Sequence, residues 1–236
     1  MQAIILAAGR GNRLSAVTSG LPKSFLQVGG KRIIDHQLDN LRRVGVTDIT
    51  IVTGYRKALF EEAYRSQGIN FAFNPFFETT NVLTSFWFGQ RFLHDEFLYF
   101  HADTIFEPAI FDELLGSVGD VVLPVDTHPC AEEEMKVRVD ESGHVIEISK
   151  TMAGGAALGE FIGIAKASRA ALTAIKEVAE DFMVRQEFHH YFEAALQKLI
   201  DGRRCPVRAL DITGKRWNEI DFEADLQKGR RMFGET

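Results

Sequence analysis

The run Gln2-Ala-Ile-Ile-Leu-Ala-Ala8, passing directly into Gly9-Arg-Gly11, constrains this chain more than any other stretch. After Gln2 it is apolar throughout and too short for a typical helix, so it reads as a strand buried on both faces. Such a strand needs cover above and below. The pattern recurs: further strands are expected at 49–53, 69–73, 97–102 and 121–125. Between them, helical spacing marks Ile34, Leu38 and Leu41, then 57–67, 81–93 and 108–115. This alternation predicts an α/β fold, a mostly parallel sheet with helices on both faces.

After Pro129 the character changes. Residues 136–140 and 144–149 alternate around Glu141-Ser-Gly143, a hairpin signal. A strand at 158–164, helices at 169–179 and 187–199, short strands at 207–210 and 217–220, and a closing helix at 222–232 follow. These segments predict a small antiparallel lobe on a single domain, with no internal repeat or linker.

Charge narrows the partners. The net charge is −6 and no dense Lys/Arg run occurs, which argues against nucleic acid. The two cysteines, Cys130 and Cys205, show no CxxC or Cys/His ligand spacing. That argues against a disulfide framework or structural zinc and for reduced thiols in a cytoplasmic protein. The opening residues carry no basic leader, and their apolar run is short for a signal peptide. No apolar stretch approaches the roughly 20 residues that span a bilayer, so no membrane insertion is expected.

Chemistry concentrates in Leu6-Ala-Ala-Gly-Arg-Gly-Asn-Arg-Leu14 and the following Leu21-Pro-Lys-Ser24. Glycines directly after a buried strand let backbone N–H groups approach phosphate oxygens. A Walker A loop is absent, because Gly30-Lys31 is followed by Arg32. The dinucleotide fingerprint fails at Leu14. Alone, the glycines would be a tight turn and the cations a solvated surface. Together, Arg10, Arg13 and Lys23 within one strand-to-helix connection suit a triphosphate tail.

This pattern resembles the signature of the nucleotidyltransferase superfamily that makes nucleotide-activated sugars and alcohols, Leu-Ala-Ala-Gly-x-Gly-x-Arg-Leu with a downstream Pro-Lys. Chain length, Gly54-Tyr55, Asn81-x3-Ser85 and Glu219-Ile-Asp221 are similar to the phosphocholine cytidylyltransferase-like branch. The resemblance implies a Rossmann-like nucleotidyltransferase sheet, with 1–128 as nucleotide-binding core and 129–236 as acceptor-binding lobe and return to the core. It implies transfer of CMP from CTP to a small phosphorylated alcohol or phosphonate, with release of pyrophosphate.

The same resemblance implies roles for residues. Arg13 and Lys23 would be catalytic, on the departing pyrophosphate and the α-phosphate. Asp103 and Asp221 would converge on Mg²⁺, although an Asp at a strand end is more often a helix cap. Leu6, Ala7, Ala8, Gly9, Gly11, Gly54, Tyr55, Asn81 and Ser85 would hold the nucleotide. His101 stands where relatives often carry an acid. For the acceptor, Trp217 and Glu160 suit a cationic head group, whereas Lys136 and Lys150 suit an anionic one. A sugar-1-phosphate uridylyl- or guanylyltransferase and a non-catalytic nucleotide-binding regulator stay open as alternatives.

Overall fold

The computed structural model describes residues 1–234. Its first half contains strands β1 (Gln2–Ala7), β2 (Gln27–Val28), β3 (Lys31–Arg32), β4 (Ile49–Thr53), β5 (Asn70–Phe73), β6 (Phe97–His101), β7 (Thr104–Phe106) and β8 (Val121–Asp126). The helices there are α1 (Ser15–Thr18), α2 (Ile33–Arg43), α3 (Lys57–Tyr64), α4 (Val82–Gly89) and α5 (Pro108–Gly116). The second half adds β9 (Lys136–Val139), β10 (Val145–Ser149), β11 (Gly159–Phe161), β12 (Ile164–Ala167), β13 (Val207–Asp211) and β14 (Trp217–Glu219). It also adds α6 (Arg169–Val184), α7 (Phe192–Asp201) and α8 (Glu223–Phe233). Among the described residues no helix is long and apolar enough to cross a membrane.

The main sheet runs β10-β9-β11-β8-β12-β6-β1-β4-β5, with β13 also pairing β8. β6, β1, β4 and β5 are mutually parallel. From β12 outward the strands pair antiparallel, the lobe expected after Pro129 building onto β8, and β13 returns parallel to β8. The strand period of two sorts the core. Ile4 and Val52 face α4, α6 and α7, while Ala3, Ile5 and Ile51 face α2, α3 and α5. Because β1 pairs with β4 on one side and β6 on the other, a crevice opens at the carboxyl ends of β1 and β6. That is the usual ligand position in open α/β sheets.

Three segments depart from the sequence expectation. The strand expected at 158–164 breaks at Gly163, whose φ of +78° turns the chain between β11 and β12. The helix expected from 187 begins only at Phe192. Its first residues instead lend carbonyls to α4: Asn81 N–H donates to Phe188 O at 2.9 Å and Leu83 N–H to His190 O at 3.1 Å. Those α4 donors have no intrahelical partner, so the incoming segment stays extended to satisfy them. Finally, the strand-to-helix connection after β1 contains short 3-10 turns and the β2–β3 hairpin. Leu14, Leu26 and Val28 pack there against Ile105, Ile220 and Leu226, tying the closing helix α8 to the N-terminal loop.

Candidate active site

The crevice is a cleft of about 390 Å³ lined from both halves of the chain. Gly9, Gly11, Asn12 and Arg13 come from the loop after β1, Lys23 from the turn after Pro22, and Asp103 from the end of β6. Gly11 is required where it stands. Its φ is +69°, and a Cβ there would lie 3.1 Å from Lys23 Cβ. The missing side chain lets the lysine stem cross the loop.

Two tertiary devices bring the carboxylates in. Gln37 on α2 donates its amide to His101 O at 2.7 Å and Thr104 O at 2.8 Å, holding the tight turn that carries Asp103. β14 pairs antiparallel with β7, Glu219 opposite Thr104, and Ile220 N–H donates to Asp103 O at 3.1 Å. Asp221 therefore arrives beside Asp103 from more than a hundred residues away.

Lys23 Nζ sits between them, 2.6 Å from Asp103 Oδ2 and 2.5 Å from Asp221 Oδ1. Burial disfavours the ammonium, but the two carboxylates outweigh it and hold its pKa above the ordinary lysine range. Burial likewise disfavours the Asp103 carboxylate, yet Lys23 and His101 keep its pKa below the usual value. Asp103 Oδ1 is buried with no hydrogen-bond partner among the described residues. Arg13 reaches Asp221 Oδ2 at 3.5 Å and Glu133 Oε2 at 3.3 Å, its guanidinium over the Phe222 ring.

Below this group, His101 lies between Glu193 (3.5 Å) and Glu219 (3.8 Å). Burial opposes its protonation, but Glu219, Glu193 and Asp103 prevail and push its pKa up to about 9. Ligand atoms of His101, Asp103 and Glu219 lie within 4.8 Å of one another. A nitrogen and several hard oxygens thus converge at the strand ends, beside the glycine loop. Such a site can bind a polyphosphate and a divalent cation together.

The family model for the MobA-like NTP transferase domain matches residues 3–190. The chain belongs to this family. It is a nucleotidyltransferase. Among curated relatives, the CTP:phosphoglutamine cytidylyltransferase of Campylobacter jejuni is 26% identical over 96% of this chain and 98% of its own length. The CMP-5'-(3-aminopropyl)phosphonate synthase of Streptomyces rubellomurinus is 36% identical over 99% of this chain, which spans only 39% of that protein. The choline-phosphate cytidylyltransferase of Streptococcus pneumoniae is 32% identical over 50% of this chain and 51% of its own length. In fold, the chain is similar to the solved CTP:phosphocholine cytidylyltransferase of Streptococcus pneumoniae, with TM-score 0.82 at 22% identity over 98% and 97% of the two chains.

In this nucleotidyltransferase, Leu6, Gly9, Gly11, Arg13, Lys23, Asp103, Lys150 and Asp221 line the cleft, and Ala7 lines the small recess beside it. Ala8 and Gly54 meet behind the loop: Tyr55 N–H donates to Ala8 O at 2.9 Å, and a Cβ on Gly54 would strike that carbonyl at 2.6 Å. The Tyr55 hydroxyl donates to Gly20 O, with Arg10 over its ring. Asn81 caps α4 by accepting from Val82 N–H, and Ser85 is buried against Asn74. Neither side chain lines the cleft, although Val82 does.

Three acceptor expectations need correction. Lys136 is buried and its ammonium donates to the carbonyls of Glu132, Glu134 and Lys150, so it braces the hairpin rather than facing the cleft. Trp217 donates its indole N–H to Asp126 at 2.8 Å, and Glu160 turns toward His128. Alternation along β11 explains the last: Phe161 faces the cleft, so its neighbour Glu160 cannot. Sequence reasoning missed Tyr191 and Glu193. Tyr191 sits in an irregular segment with no motif, and Glu193 reads as an ordinary helical surface acid.

Proposed function

We propose that this nucleotidyltransferase moves CMP from CTP to the phosphate or phosphonate oxygen of a small acceptor and releases pyrophosphate. One observation carries the reading: Lys23 bridges Asp103 and Asp221 at the mouth of a glycine loop that also presents Arg13. Three relatives, two cytidylyltransferases and a synthase of a CMP-linked phosphonate, support cytidine as the nucleoside.

The donor set fits Mg²⁺, since the converging atoms are mainly carboxylate oxygens and Asp103 Oδ1 is a buried acceptor without a hydrogen-bond partner among the described residues. Asp103 and Asp221 would hold the ion, which supplies charge neutralisation at the α-phosphate. The rest falls to the chain. Backbone amides of the loop through Gly9 and Gly11 orient the triphosphate, and Leu6 and Ala7 frame the nucleoside, with Ala8 and Gly54 bracing the loop from behind. An anionic acceptor oxygen attacks the α-phosphorus. A P–O bond forms there while the bridging bond to the β-phosphate breaks, and pyrophosphate leaves with the electron pair. Lys23, released from its carboxylates, bridges α-phosphate and acceptor; Arg13 receives the departing charge. No protein nucleophile or strong base is required.

The lobe after residue 128 supplies the acceptor wall. Lys150, whose ammonium sits 4.9 Å from the centre of the Tyr191 ring, holds the acceptor's anionic group. Glu133, Met135 and Phe161 complete that wall. The proposed compartment is the cytoplasm, where free Cys130 and Cys205 stay reduced. A chiral α-thio-substituted CTP tests the reading: direct transfer inverts configuration at phosphorus. Retention, or pyrophosphate release without an acceptor, would overturn it.

A further inference from the structure

A second cluster of metal-capable side chains lies outside the cleft, on the segment between β8 and β9. His128, Cys130 and Glu134 bring an imidazole nitrogen, a thiol and a carboxylate oxygen within 4.8 Å of one another. His128 Nε2 is 3.2 Å from Glu134 Oε2 and 3.7 Å from Glu160 Oε2. Glu160 is only 8% exposed and makes no side-chain hydrogen bond among the described residues. His128 Nδ1 is also buried without a hydrogen-bond partner among the described residues.

The charge balance is one-sided. Asp126, Glu134 and Glu160 all approach His128, and no Lys or Arg forms an ion pair with any of them among the described residues. The nearby Lys136 ammonium is spent on three backbone carbonyls. A buried carboxylate such as Glu160 persists when a cation compensates it, and a single imidazole is a weak counterion for it and the two half-buried acids beside it.

We propose that His128, Cys130, Glu134 and Glu160 form a site for a tetrahedral divalent transition metal, Zn²⁺ by the chemistry of its donors. One nitrogen, one sulfur and two carboxylate oxygens are the mixture that suits this ion and not Mg²⁺. Asp126 already accepts the Trp217 indole N–H and stands in the outer shell, aimed at His128 Nδ1 from 3.7 Å. That arrangement orients the imidazole with Nε2 toward the ion. The ion fastens the segment 127–135 to β11. The same segment delivers Glu133 to Arg13 and Met135 to the cleft, so the metal anchors one cleft wall from outside. Sequence spacing hides the site because Glu160 reaches it only through the β8–β11 register, opposite Asp126.

The test titrates the metal-stripped full chain with Co²⁺, which reports thiolate ligation by a near-ultraviolet charge-transfer band. One equivalent should develop the band, and Zn²⁺ should displace it. Cys130→Ser and His128→Gln should abolish it, while Cys205→Ser and the cleft variant Asp221→Asn should keep it. Zn²⁺ should raise the unfolding temperature of the wild type by several degrees and leave a Cys130→Ser variant of native circular dichroism unmoved. A wild-type chain without the band, a band that survives Cys130→Ser, or one that disappears in Asp221→Asn overturns the proposal.

Discussion

Lys23 Nζ lies 2.6 Å from Asp103 Oδ2, which joins the loop after β1 to the end of β6 across the mouth of the cleft. The ammonium occupies the ground between two carboxylates that would otherwise repel one another. It is therefore a structural counterion here and, in the proposed mechanism, a ligand for phosphate.

Replacing it separates the two roles. Lys23→Met leaves Asp103 and Asp221 partly buried and without their cation, at a cost of about 1–3 kcal/mol. Thermal unfolding should show this loss in EDTA and recover part of it with Mg²⁺. Turnover at saturating substrate should fall about 10²- to 10³-fold, the range seen when a transition-state donor is removed. Unchanged turnover would sink the role given to Lys23.

Asp221→Asn should act chiefly on the metal. A neutral amide beside Lys23 weakens a hard divalent cation, so the Mg²⁺ concentration for half-maximal rate should rise at least about tenfold. Titration of initial rate against Mg²⁺ reads this directly. An unshifted midpoint removes Asp221 from the ligand set.

Gly163→Ala should cost about 1–2 kcal/mol for its left-handed backbone alone. It should also disturb the cleft floor, because the new methyl would fall 2.5 Å from His101 Nδ1. Unfolding temperature and kcat should drop together. A stable variant with normal kcat shows that His101 can move freely without consequence.

Lys150→Ala should raise the acceptor KM roughly 10-fold or more and leave the CTP KM near its original value, as expected for one charge-assisted contact. Steady-state kinetics with each substrate varied in turn separates the two. Equal effects on both constants would move Lys150 from the acceptor wall to the triphosphate.

The parallel half of the sheet and the glycine loop were legible because their signals are local: a continuous apolar run, then Gly9, Gly11 and Arg13 in fixed register. The pairing of Asp103 with Asp221 was legible only through family resemblance, since β7 and β14 are three-residue strands with no period to read. The acceptor lobe was the least legible. Lys136, Glu160 and Trp217 have the right chemistry for an acceptor site, but strand alternation and local carbonyls turn each of them elsewhere. Glu193 escaped notice because a surface-like helical pattern conceals an acid that packs fully buried beside His101.

The most direct measurement is pyrophosphate release with Mg²⁺, crossing the four common nucleoside triphosphates with phosphocholine, 2-aminoethylphosphonate, inositol phosphate and sugar-1-phosphates. Release should require CTP together with a head-group phosphate or phosphonate, and CTP alone should give none. Release confined to UTP or GTP with a sugar-1-phosphate, or no release with any pair, would contradict the cytidylyl-transfer function.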